Sequence, residues 1–95
     1  MWLAARLLVS GEKPSLIPCR IEDISESGAR IRVEVFYVLP NRVFLVTDEG
    51  DTIYECNTAW QRAQEAGLMY VDLCTHDKRQ ALLHEMAIAE RLGVI

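Results

Sequence analysis

The residues best suited to chemistry lie in one short segment, from Asp23 to Gly28. Asp23 and Ser25 flank Ile24, so in an extended chain their polar side chains point to one face while Ile24 points to the other. Short aspartate and serine side chains either bond back to the amides of a turn or offer an acceptor and a donor to a ligand. Gly28 supplies the left-handed backbone or the close approach of chains that a tight reversal requires. The segment predicts a strand-to-strand turn, which is either purely structural or the rim of a ligand site.

The other residue types that commonly carry chemistry form no comparable group. Three cysteines include no C-x-x-C, and two histidines lack a third ligand nearby, so we expect reduced thiols and no metal site. Asp23, Ser25 and His84 are the residue types of a hydrolase triad, but no G-x-S-x-G or other nucleophile setting accompanies them. We therefore expect no catalytic residue and no cofactor.

Length and composition limit the classes of protein that fit. The 95 residues suffice for one domain, so residues 1–95 are predicted to form a single domain. Hydrophobic residues make up 51% of the chain, which excludes disorder, and the net charge of −4 argues against a nucleic-acid polymer as partner. The apolar start is too short to span a bilayer and lacks the features of a signal peptide. We expect a cytoplasmic protein with no membrane span.

Apolar and polar residues alternate with period two over most of the chain, which predicts β-strands. The predicted strands are, approximately, Leu3–Val9, Pro18–Ile24, Ala29–Val35, Arg42–Thr47, Thr52–Trp60 and Leu68–Leu73. The polar stretch 61–67 between the last two is predicted to be a loop, and Pro18 to lie at a strand start or sheet edge. Because strands with one apolar face must close on themselves or be covered, we predict a six-stranded antiparallel barrel over about residues 3–73. The aromatic residues, Trp60 among them, are expected to fill the barrel or its mouth.

Only the last part of the chain changes period. Apolar residues recur there at steps of three and four, at Leu82, Leu83, Met86, Ala89 and Leu92. This predicts one amphipathic helix over about residues 78–92, with Asp77 as its N-cap and Gly93 following its end. We expect the helix to cap the barrel. Its apolar stripe is either core or a contact with a protein partner or a second copy of the chain.

Three stretches of the sequence together resemble the PilZ domain, the bacterial receptor module for the second messenger cyclic di-GMP. The D-x-S-x-x-G element is present as Asp23, Ser25 and Gly28. Residues 56–60 are similar to the cysteine-to-tryptophan strand of the family, and residues 67–70 resemble the glycine and aromatic pattern of its closing strand. The resemblance implies a non-enzymatic signalling barrel in which Asp23, Ser25 and Gly28 form part of the ligand site, with Asp23 and Ser25 against a guanine base.

One element of the family is missing from this sequence. PilZ domains usually carry two arginines four residues apart before the first strand, but no R-x-x-x-R occurs here, and alignment on Asp23 places that segment ahead of Met1. Guanidinium groups suit both phosphate and guanine edges, so we expect weak or no binding of cyclic di-GMP. An R-x-x-x-R encoded in frame upstream of Met1 would restore tight binding.

Arg20 and Arg30 lie near the motif in the sequence and are predicted to be auxiliary ligand residues if the nucleotide binds. The other interpretation of Arg30 is that it belongs to a charged outer surface. The alternative function is a PilZ-like adaptor that acts through protein–protein contacts without the nucleotide.

Overall fold

The chain forms a six-stranded barrel followed by one helix. The computed structural model describes residues 3–33, 37–47 and 52–92. The elements are β1 (Leu3–Val9), β2 (Ser15–Ile24), β3 (Gly28–Val33), β4 (Arg42–Thr47), β5 (Thr52–Arg62), β6 (Glu65–Leu73) and α1 (His76–Leu92). All neighbouring strands are antiparallel, and the barrel closes in the order β1-β2-β3-β6-β5-β4. The predicted fold class, a six-stranded antiparallel barrel with a C-terminal helix, is confirmed.

Alternation along the strands produces two separate apolar layers. One layer fills the barrel, and its buried members are Leu7, Ile17, Cys19, Ile21, Ala29, Ile31, Val33, Leu39, Val43, Leu45, Cys56, Ala66 and Leu68. The other lies between the outer wall and α1, and consists of Leu8, Leu16, Phe44, Val46, Ile53, Leu82, Met86 and Ala89. Each large side chain so buried contributes about 1.5–3 kcal/mol. A domain this small has a limited interior, so the outer layer adds substantially to its core.

The helix lies along the outer wall of the barrel instead of capping one end, which corrects the expectation. Leu82, Met86 and Ala89 of the predicted stripe are buried against the wall, whereas Leu92 is 62% exposed. Periodicity had shown that one face of the helix is apolar, but not which part of the barrel that face covers. Within the described residues, no helix has the length and apolar character needed to cross a membrane.

The start of the helix also differs from the prediction. Helix α1 begins at His76, two residues before the predicted start, and the residue that caps it is Thr75. The hydroxyl of Thr75 accepts a hydrogen bond from the amide of Lys78 at 3.4 Å, as an N-cap side chain does. The predicted N-cap, Asp77, lies instead in the first turn, where its charge suits the helix dipole. Gly93, predicted to follow the helix, lies outside the described residues.

A buried carboxylate also ties the helix to the barrel. Glu55 of β5 is only 8% exposed, and it forms ion pairs with Arg42 of β4 and Lys78 of α1. The ammonium group of Lys78 lies 5.7 Å from the centre of the Phe44 ring, within range of a cation–π interaction. Each charge at this junction therefore has an opposite charge or an aromatic ring beside it.

Two strand boundaries depart from the prediction. Strand β2 begins at Ser15, so Pro18 lies inside it, where the described pairings give Pro18 a partner on β1 only. The predicted loop over 61–67 is wrong, because β5 and β6 continue as a hairpin until Arg62 pairs with Glu65. The tight turn between them places Ala63 at φ 53°. Residues 34 and 35 of the third predicted strand lie outside the described residues.

Candidate functional site

The turn between β2 and β3 is built on the backbone and hydroxyl of Ser25. The Ser25 amide donates to the carbonyl of Gly28 at 2.8 Å, and the Ser27 amide donates to the Ser25 hydroxyl at 3.3 Å. The same hydroxyl lies 3.3 Å from the Gly28 carbonyl. Ser25 is nevertheless exposed, so its hydroxyl organises the turn and also stands at its surface.

Asp23 stands beside this turn with its carboxylate unbonded within the described part of the chain. A β-bulge shifts the register between Ile21 and Asp23, so that Asp23 lies opposite Arg30 of β3. Bulges of this kind re-aim a side chain next to a functional site. Asp23 is exposed, and no described donor bonds its carboxylate, even though the two charged residues are cross-strand neighbours. The acid is therefore free to accept hydrogen bonds from a ligand.

Gly28 is required by the close approach of two strands. A Cβ at this position would overlap the carbonyl of Leu68 on β6 and lie 3.2 Å from the Cα of Met69. The backbone at Gly28 is not left-handed. Of the two reasons the sequence offered for this glycine, the structure supports close approach. Gly28 thus lets β3 and β6 meet at the edge of the site.

Four residues form a row across four strands of the outer wall. Asp23 lies opposite Arg30, Arg30 opposite Gly67, and Gly67 opposite Trp60. The indole of Trp60 lies over Gly67, where the absence of a side chain leaves room for the ring. Trp60 is 42% exposed, so the expectation that it fills the barrel or its mouth is wrong. The row brings a carboxylate, a guanidinium and an aromatic face to one surface.

An open cavity of about 350 Å³ occupies this surface. Its lining consists of Asp23, Ile24, Ser25, Ser27, Gly28, Ala29, Arg30, Ala59, Trp60, Gly67, Leu68 and Met69. Ligand cavities of this size are mainly apolar, with a few polar groups that fix orientation, and the lining has that composition. All three predicted site residues, together with Arg30, line the cavity. Trp60 and Met69 are lining residues that were not predicted from the sequence, although the tryptophan and the glycine of the facing strands were a usable signal.

Arg30 is already engaged by a carboxylate at the edge of the cavity. Its Nη1 lies 3.3 Å from Oε1 of Glu65, and the same Glu65 oxygen lies 3.6 Å from Arg32. Arg32 makes a second ion pair, at 3.2 Å, with Glu22. Burial raises the pKa of Glu22, but the hydrogen bond from Arg32 and the positive charges of Arg32 and Arg30 together lower it below its usual value. The two arginines and two glutamates form one network along the site.

Arg20, the other predicted auxiliary residue, lies away from the cavity. It pairs with Ala4 and Arg32 in the barrel wall, and it does not line the cavity. Its neighbours Cys19 and Ile21 point into the barrel, so Arg20 points outward. The structure therefore separates the two auxiliary residues and brings only Arg30 to the site.

Over residues 3–33, 37–47 and 52–92, no group of three or more histidine, cysteine, aspartate or glutamate residues is arranged to hold a metal ion. Two of the thiols are deeply buried, and burial raises the pKa of Cys19 to about 12 and that of Cys56 to about 11. These thiols are protonated near neutral pH and belong to the barrel core, apart from the cavity.

Comparison with known families agrees with the motif at the turn. The family model described as the PilZ domain matches residues 2–86, which include all six strands, the cavity and the first part of α1. No curated protein and no solved structure matches the chain.

Proposed function

The chain belongs to the PilZ domain family, and on that premise we propose that it is a cytoplasmic, non-enzymatic receptor domain that binds cyclic di-GMP weakly. PilZ domains as a family bind this nucleotide in bacterial signalling. The observation that carries the proposal is the open cavity in which the D-x-S-x-x-G residues Asp23, Ser25 and Gly28 meet the exposed face of Trp60.

The lining matches the chemistry of a guanine base. The exocyclic amine of guanine is a hydrogen-bond donor, and the carboxylate of Asp23 is an acceptor without a described partner. Ser25 adds a hydroxyl at the same rim. Trp60 and Met69 supply an aromatic and a sulfur-containing surface against which a base can stack. Hydrogen-bond acceptors and a stacking surface therefore face one cavity.

The weak affinity follows from the scarcity of arginines. No R-x-x-x-R occurs in the sequence, and Arg30 is the one basic residue in the described lining of the cavity. Truncating one partner of a charged hydrogen bond in a binding site costs about 2–5 kcal/mol. Two such losses lower affinity by roughly a thousandfold or more, which turns micromolar binding into millimolar.

Backbone-amide NMR tests where the nucleotide binds. Titration with cyclic di-GMP is expected to shift the amides of Gly28 and Gly67 and the indole N–H of Trp60 in a saturable manner. The amide of Ala89, buried between helix and wall, serves as the internal control and is expected to stay in place. Shifts confined to α1, or no saturable shift in the cavity, would refute the proposed site.

A second candidate is the nucleotide-independent adaptor, which would act through a protein partner or a homodimer. Exposed apolar side chains outside the cavity support it: Val38 is 77% exposed, Leu92 62% and Leu73 56%. If helix pairing makes a dimer, size-exclusion chromatography with light scattering will show it, and Leu92→Glu will dissociate it. A monomer whose elution Leu92→Glu leaves unchanged would remove the helix-mediated form of this candidate.

A further inference from the structure

The ion pairs beside the cavity are unequally shared between the two arginines of β3. Arg32 has two carboxylate partners, Glu22 at 3.2 Å and Glu65 at 3.6 Å. Arg30 has one, Glu65 at 3.3 Å, and bonds it through Nη1 alone. Removing Glu65 would leave Arg32 paired with Glu22 but Arg30 without a carboxylate partner among the described residues. Glu65 therefore controls Arg30 more than it controls Arg32.

Arg30 is placed to bind an anion at the site. It lines the cavity, its side chain is 47% exposed, and Trp60 lies two strands away in the same row. Its Nη1 group is bonded to Glu65, while Nε and Nη2 have no partner among the described residues. A planar guanidinium binds a phosphate through two parallel N–H donors, so a bound phosphate would compete with Glu65 for the orientation and the charge of this group.

We infer that Arg30 is the phosphate-binding group of this cavity and that Glu65 limits affinity by competing with the ligand for it. The inference rests on the proposed function, because the anion in question is a phosphodiester of the nucleotide. Under this inference Glu65, which lies outside the D-x-S-x-x-G element, determines how strongly Arg30 holds an anion. The affinity of this site is then adjustable by one carboxylate that lies outside the cavity lining.

The size of the effect follows from the exposure of the pair. Arg30 and Glu65 are 47% and 28% exposed, and ion pairs of this kind contribute little in water. Releasing Arg30 from Glu65 is therefore expected to strengthen ligand binding about two- to fivefold. Removing Arg30 itself deletes a charged hydrogen bond to the ligand, and is expected to weaken binding at least tenfold.

The test is an NMR titration with cyclic di-GMP, extended to millimolar concentration, on the full 95-residue chain. The variants are Glu65→Gln, Arg30→Gln, the double variant, and Glu22→Gln as the matched control. Both Glu→Gln changes remove one negative charge from the same network, but only Glu65 pairs with Arg30. We expect tighter binding in Glu65→Gln, little change in Glu22→Gln, and no gain from Glu65→Gln when Arg30 is already glutamine. Equal gains in the two single Glu→Gln variants, or a gain that persists without Arg30, would overturn the inference.

A second probe separates this inference from the proposed function. Sodium pyrophosphate carries the phosphate charge without a base, and Glu65→Gln is expected to bind it more tightly than the unmodified chain. If no variant binds cyclic di-GMP but Glu65→Gln still gains pyrophosphate binding, the proposed function is refuted and the competition for Arg30 stands. If Glu65→Gln gains with neither probe, the inference is refuted, and binding of cyclic di-GMP by the unmodified chain then decides the proposed function by itself.

Discussion

The indole of Trp60 lies directly over Gly67 on the neighbouring strand. A Cβ on residue 67 would come within 2.6 Å of Cε2 and 2.8 Å of Cδ1 of the ring. Real Cβ atoms do not approach an aromatic ring so closely, because non-bonded carbon atoms pack at about 3.5–4.0 Å. Glycine at position 67 thus allows the ring to lie flat against the wall and form one side of the cavity.

Gly67→Ala is expected to displace the Trp60 ring and weaken cyclic di-GMP binding. Because Trp60 is 42% exposed, its ring can move outward, so the loss of stability is expected to be only about 1 kcal/mol. Trp60 fluorescence, recorded with Trp2 replaced by Phe, reports the displacement, and urea denaturation reports the stability. In a Trp60→Ala background the clash disappears, and the alanine at 67 should then cost little. An equal cost in both backgrounds would show that the ring is not the obstacle.

Gly28→Ala is expected to be more damaging than Gly67→Ala. The added methyl group would meet the backbone carbonyl of Leu68, which cannot move without breaking the pairing of β3 with β6. The expected loss is about 2–3 kcal/mol, at the upper end of what overpacking costs. Denaturant midpoints of the two alanine variants compare them directly. Equal stability of the two variants would contradict the tight contact at Gly28.

At the ion pairs of Glu55, removing the two cations is expected to cost more stability than removing the carboxylate charge. Replacing both Arg42 and Lys78 by Met leaves a carboxylate nine-tenths buried without a partner, which is expected to cost about 2–4 kcal/mol. Glu55→Gln leaves two cations that are about half exposed and easily hydrated, so its cost is expected to be smaller. Arg6→Met, at the exposed pair with Glu90, is the control and is expected to cost less than about 1 kcal/mol. If Glu55→Gln proves the most damaging of the three, the account of this junction is wrong.

Stability is expected to fall in alkaline solution because two buried thiols must ionise on unfolding. Burial raises the pKa of Cys19 from 9.0 to about 12 and that of Cys56 from 9.0 to about 11. The unfolded chain therefore releases these protons at lower pH than the folded chain. Their contribution is complete below pH 9 and is lost as pH rises toward 11 and 12, at about 1.4 kcal/mol per pH unit for each thiol.

Urea denaturation between pH 7.5 and 10.5 measures this loss. Cys19→Ala serves as the comparison, because other groups also titrate in that range. The variant starts from a lower stability but is expected to decline less steeply with pH. Parallel declines in the two proteins would rule out the Cys19 contribution.

Local patterns predicted most of the barrel, since strand alternation depends on neighbouring residues. Strand β4 was predicted at its observed bounds, because its apolar run from Val43 to Val46 lies between the proline–asparagine pair at 40–41 and the acidic stretch that begins at residue 48. The hairpin after β5 was missed because Ala63 adopts a left-handed backbone at φ 53°, for which glycine or asparagine is the usual signal. The position of α1 on the outer wall depends on where outward-facing apolar residues of several strands lie side by side. That grouping is set by the order in which the strands close the barrel, and no single segment of the sequence shows it.

In the site, too, neighbouring residues in the sequence were predictable, whereas residues brought in by strand pairing were not. The turn and its motif residues are contiguous, so one short segment predicted the turn and left a structural role and a ligand site as its two interpretations. Glu65 and Trp60 reach the site only through register, and that register includes an irregularity between Thr58 and Trp60. Such a shift decides which residue faces Gly67, and it arises from the pairing of two strands, so the tryptophan and the glycine suggest the contact but do not fix its register.

Weak binding at this site is best tested by the dissociation constant of this 95-residue chain for cyclic di-GMP, measured beside that of Asp23→Ala. Saturable binding near the millimolar range is expected, with a further loss of affinity when the Asp23 carboxylate is removed. Circular dichroism of both proteins checks that Asp23→Ala, at an exposed position, leaves the barrel folded. A dissociation constant near 1 µM that Asp23→Ala abolishes would contradict the weak-binding claim, and binding that the variant leaves unchanged would contradict the site.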